Sequence, residues 1–137
     1  MTLPGIEQTY LLEFLTRLLQ IASPTGFSDN ALSFVEDTLR QFAGVRCSRT
    51  RKGTLLARWE GESEQHPRAL TAHVDTLGAM VKEIKPNGRL KLSKLGGFAW
   101  NTVEGEGCTI YKFDGGSERG SLLFSQASAH VHGAVTG

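Results

Sequence analysis

Between Gln8 and Ala22 the apolar residues Leu11, Phe14, Leu15, Leu18, Leu19 and Ala22 return at intervals of three and four. That spacing paints one face of a helix. The stretch Ser23-Pro-Thr-Gly-Phe-Ser-Asp interrupts it, and Ser28 is placed to cap a second helix running to about Phe42, with Leu32, Val35, Leu39 and Phe42 on its inner face. The period then shortens. Val45 to Arg51 alternates weakly, Lys52-Gly53 marks a turn, and Thr54 to Trp59 reads as a strand. A charged loop from Glu60 to Arg68 leads to the apolar run Ala69 to Val74, which the pattern predicts to be a third strand. The opening is therefore α-α-β-β-β.

The second half carries no helical period. Leu77 to Ile84 and Arg89 to Leu95 flank Lys85-Pro-Asn-Gly88, while Cys108 to Phe113 and Gly120 to Ser125 flank Asp114-Gly-Gly116. Asn87-Gly88 and Asp114-Gly115 are hairpin signals of the type I′ kind, which needs positive φ at both central residues. This half is predicted to be a small antiparallel β-module entered near Thr76. The expected division is residues 1–76 and 77–137, in an α/β fold.

Length and charge narrow the function classes. A chain of 137 residues fits one modest domain or one lobe of something larger. Fifteen Lys and Arg against fourteen Asp and Glu leave a formal charge of +1 without a basic block, so no nucleic-acid partner is expected. No apolar run reaches the ~18 residues of a membrane span, and Met1-Thr-Leu-Pro-Gly-Ile-Glu-Gln lacks the pattern of a secretory leader. The expectation is a cytoplasmic chain with no membrane partner. Cys47 and Cys108 lie far apart in strand-like stretches and are expected to be reduced, half-buried thiols.

Candidate chemistry centres on His73-Val-Asp75. Residues two apart on a strand point to one side, so the imidazole and carboxylate are predicted to project together from the end of the Ala69–Val74 run. A neutral imidazole binds zinc, and a neighbouring carboxylate orients the ring. By itself His-x-Asp is a three-letter pattern, more often a half-buried histidine beside a structural acid than a metal site.

The surrounding residues add context. The run Leu70-Thr-Ala-His73-Val-Asp75-Thr-Leu-Gly78-Ala-Met-Val81 resembles the aminopeptidase family that includes deblocking, glutamyl and tetrahedral aminopeptidases. Ser23-Pro-Thr-Gly26, Lys52-Gly53-Thr-Leu, Asn87-Gly88 and Leu95-Gly96-Gly97 match in order. The resemblance implies the amino-terminal part of a zinc-peptidase α/β catalytic domain, followed by part of a β-rich insertion domain. It also implies two divalent metal ions, zinc or cobalt, peptide substrates and a homo-oligomer. His73 would ligate one metal, and Asp75, counted with the catalytic residues, would hold its ring. Family chemistry adds a metal-activated water, a carbonyl polarised by metal and a glutamate base.

The bridging aspartate, the glutamate base and the other ligands have no counterpart in these 137 residues. The chain can supply at most one ligand, is expected to be inactive alone, and the parent sequence is expected to continue with an aspartate and a Glu-Glu pair. Thr76 stands where relatives often carry an acid, which leaves substrate preference open. Two other readings compete: a metallo-carboxypeptidase or deacylase with the same His-x-Asp, and a non-catalytic binding or subunit-assembly module. Against the deacylase, Thr76-Leu-Gly-Ala-Met-Val runs straight into a strand.

Elsewhere the residues favour bland roles. His130-Val-His132 is read as an exposed edge, and His66 as solvated in its charged loop. Ser121, Ser125 and Ser128 lack a Gly-x-Ser-x-Gly context. The glycines at 96-97, 105, 107, 115-116 and 120 lack the lysine and following helix of a phosphate loop. Trp59 and Trp100 are expected to pack.

Overall fold

The computed structural model describes residues 5–63 and 65–125. In order these form α1 (Gln8–Leu19), α2 (Asp29–Leu39), β1 (Val45–Arg49), β2 (Leu55–Trp59), β3 (Gly78–Ile84), β4 (Leu90–Leu95), a 3-10 turn (Trp100–Thr102), β5 (Gly107–Tyr111) and β6 (Ser117–Ser121). The chain divides into two compact units, Met1–Gly96 and Gly97–Gly137.

In the first unit the helices form where the apolar period predicts them. Phe14 of α1 stacks on Phe34 of α2 with ring centroids 5.3 Å apart, and the Arg17 guanidinium lies 4.9 Å from the centre of the same Phe34 ring. The rest of the α1 stripe is uncovered: Leu11, Leu15 and Leu19 are exposed, and Ala31 is the buried apolar residue among those described. Ser28 stands at the start of α2 but its hydroxyl makes no capping bond; its carbonyl accepts the Leu32 N–H instead. An ion cluster ties α2 to β1. Glu36 receives Arg49 Nε at 2.7 Å and Arg40 Nη2 at 2.6 Å. These two guanidinium groups, Arg49 first, hold its carboxyl below the usual glutamate range.

The strands pair as separate antiparallel hairpins, β1 with β2, β3 with β4, and, in the second unit, β5 with β6. All use the same loop. Thr50 N–H donates to the Thr54 carbonyl, Lys85 to Arg89 and Lys112 to Gly116, each enclosing three residues of which the last is Gly53, Gly88 or Gly115. These glycines have φ of 82°, 78° and 86°, whereas no other residue type among those described takes positive φ. The expected type I′ turns are thus corrected to three-residue loops. Pro86, with φ locked negative by its ring, occupies the first loop position of β3–β4, and only the final glycine needs the left-handed region. Asn87 and Asp114 serve differently: Asn87 Oδ1 accepts the Arg89 N–H at 3.1 Å, and Asp114 Oδ1 accepts the Gly116 N–H at 2.9 Å.

A second correction concerns Ala69 to Val74. Residues 67–75 enter no ladder, and Leu70 is 98% exposed. An apolar run becomes a strand only where another strand offers its N–H and C=O groups, and none of the described hairpins does so. The segment meets partners only at its end, where Thr76 bridges Pro24 in parallel fashion.

Trp59, expected to pack, is 73% exposed on the end of β2. Trp100 is half-buried and meets the Phe98 ring edge-on at 5.3 Å. Cys47 and Cys108 are free thiols and half-buried, as expected. No helix among the described residues is long and apolar enough to cross a membrane.

Candidate functional site

The site lies where the loop after α1 meets the residues leading into β3. Thr76 N–H donates to the Ser23 carbonyl at 2.8 Å, and Phe27 N–H donates to the Pro24 carbonyl at 2.8 Å, closing the loop on itself. Gly26 sits within it at φ 89°. Gly78, two residues beyond Thr76, allows the approach: a Cβ there would lie 2.6 Å from Pro24 Cβ, inside any tolerable contact. The Ser-Pro-Thr-Gly stretch and the His-Val-Asp stretch, fifty residues apart, are thereby laid side by side.

Three side chains then connect. His73 Nδ1 lies 2.9 Å from Asp75 Oδ1. Thr25 Oγ1 donates to Asp75 Oδ2 at 2.7 Å. The Thr25 hydroxyl and then the His73 ring hold the Asp75 carboxyl below its ordinary range. An ionised carboxylate only accepts, so the proton of a neutral His73 ring resides on Nδ1 and the lone pair on Nε2. The His73 side chain is 83% exposed, leaving Nε2 open, while that of Asp75 is 39% exposed. The predicted projection of His73 and Asp75 to one side is thus observed, although a loop rather than a paired strand delivers it.

Thr25 escaped the sequence reading as a site residue. Its place inside Ser23-Pro-Thr-Gly26 was the available signal, but nothing local connects a threonine in that turn to a carboxylate fifty residues on. No group of three or more His, Cys, Asp or Glu gathers into a metal-sized cluster among the described residues. The donor chemistry present fits one imidazole ligand, not a complete set. His66 is exposed, as expected; Ser128, His130 and His132 lie outside the described residues.

A histidine held at Nδ1 by an anchored carboxylate has the form in which metal-dependent proteins present a ligand. The sequence agrees with that class: residues 53–136 match the M42 glutamyl aminopeptidase family, and the chain belongs to it. It is 44% identical over 121 residues to a protein of Bacillus subtilis (strain 168) described as "Putative aminopeptidase YhfE". That match takes in 88% of this chain but 35% of the relative, so the chain spans about a third of the length of the curated protein it resembles.

Proposed function

We propose that the chain is the amino-terminal part of a metal-dependent aminopeptidase that hydrolyses amino-terminal residues from peptides. His73 supplies one imidazole to a pair of divalent ions, zinc or cobalt, and Asp75 holds that imidazole. The observation that carries the reading is the 2.9 Å contact of His73 Nδ1 with Asp75 Oδ1 in a member of this peptidase family. When bound, the metals would supply Lewis acidity at the scissile carbonyl. The residues of this chain do the holding: Asp75 fixes the ring plane, keeps the proton on Nδ1 and raises the basicity of Nε2. The remaining donors and the general base are assigned to other segments of the enzyme, and residues 1–137 alone are read as inactive. Residues 1–76 then open the α/β catalytic domain and 77–137 form part of a β-rich insertion, a boundary of family architecture rather than of compactness. The test is turnover of Leu- or Glu-amide reporters by a polypeptide of full family length. Activity is expected to vanish on chelation and to return with zinc or cobalt; no turnover with either metal would refute the reading.

We also propose that residues 1–137 self-associate, because they leave large apolar side chains uncovered: Leu12, Leu19, Trp59 and Ile84 are exposed by 62%, 66%, 73% and 72%. Light scattering on residues 1–137 is expected to report an oligomer or larger aggregate. A stable monomer would count against this association.

A further inference from the structure

Asp75 is held at both oxygens, and the two bonds do different work. The bond from Oδ1 to His73 Nδ1 sets which ring nitrogen is free, but by itself it leaves the carboxylate able to turn, because the final torsion of an aspartate is broad and nearly two-fold. The Thr25 hydroxyl, 2.7 Å from Oδ2, removes that freedom. Thr25 is in turn held by backbone: Ser23 through the Thr76 N–H, and Pro24 through its parallel bridge and its seat against Gly78. We propose that Thr25 is a positioning residue for His73, its hydroxyl locking Asp75 so that the imidazole keeps its proton on Nδ1 and offers Nε2 to a divalent cation. The inference rests on the reading of His73 as a metal ligand. It assigns the Ser-Pro-Thr-Gly loop to the metal site, although that loop donates no ligand. Without the hydroxyl, Oδ2 turns to water, the carboxylate swings, and the ring samples the Nε2–H form, in which Nε2 has no lone pair to offer a metal.

The experiment uses a polypeptide of full family length labelled with 15N and 13C at histidine, at a pH where the ring is neutral, with ring nitrogen shifts of His73 read in the metal-free protein and during titration with Zn2+ alone. In the parent sequence the Nδ1–H form is expected to dominate. Thr25→Val is expected to raise the Nε2–H population and weaken Zn2+ binding at His73 about tenfold, the low end for loss of a group that supports a ligand. Thr25→Ser, which keeps the hydroxyl, is expected to match the parent in both measurements. An unchanged tautomer in Thr25→Val, or equal losses in the Val and Ser variants, would overturn the inference, the latter because bulk rather than the hydroxyl would then be at work. A parent His73 whose Nε2 ignores Zn2+ would instead sink the metal reading, while the response of the tautomer to Thr25 would still decide whether the hydroxyl positions the ring.

Discussion

Replacing His73 with alanine in a polypeptide of full family length is expected to lower kcat/KM by more than about a hundredfold, equivalent to roughly 2.7 kcal/mol of transition-state stabilisation. Loss of a supporting carboxylate costs about 10- to 100-fold in metal affinity or activity, and loss of the ligand itself should exceed that. Asp75→Asn is therefore expected to fall between the His73 variant and the parent. In residues 1–137, where the His73 side chain is 83% exposed and its hydrogen bond among the described residues is to Asp75, the same substitution is expected to shift stability by no more than about 0.5 kcal/mol, as for other surface substitutions. Steady-state kinetics beside a denaturant melt separates the two effects. Near-normal activity of His73→Ala in a folded enzyme would remove this residue from the metal centre.

The second large effect is a complete absence. Residues 1–137 supplied with zinc or cobalt are expected to hydrolyse neither Leu- nor Glu-amide reporters above background. A zinc ion takes three or four protein ligands in its structural and catalytic sites, whereas the described residues gather no such group. A single exposed imidazole holds a metal only weakly and brings no general base with it. Clear turnover that disappears with His73→Ala would show that the chain assembles a centre from its own residues, and would overturn the division of labour proposed above.

The parts legible in the sequence are those decided by near neighbours. The helices follow from a stripe repeating every three or four residues, and the hairpins from glycines at the points where the chain must reverse. The details lost were those requiring a distant partner. Ala69 to Val74 reads as a strand by composition, yet strand pairing is a property of two segments, and the described residues supply none beside it. The α1 stripe was visible, but its burial depends on what lies against it, and only Phe14 and Leu18 of that stripe within the helix are half-buried. In the site, the pairing of His73 with Asp75 was foreseeable from their spacing of two. The role of Thr25 was not, because its contact spans fifty residues and depends on Gly78 leaving room for Pro24.

The shared hairpin loop has a kinetic consequence. Each turn joins residues only four apart, Thr50 to Thr54, Lys85 to Arg89 and Lys112 to Gly116, so every strand pairing described here can zip outward from its own turn without a long closure. Hairpins of this kind form in about 1–10 μs, yet an isolated two-stranded ribbon is marginal in water. The longest closure among the described contacts is the one that brings the loop after α1 against residues 75–78. The contact on which the candidate site depends, Thr25 with Asp75, belongs to that long-range group beside Ser23 with Thr76 and Pro24 with Gly78.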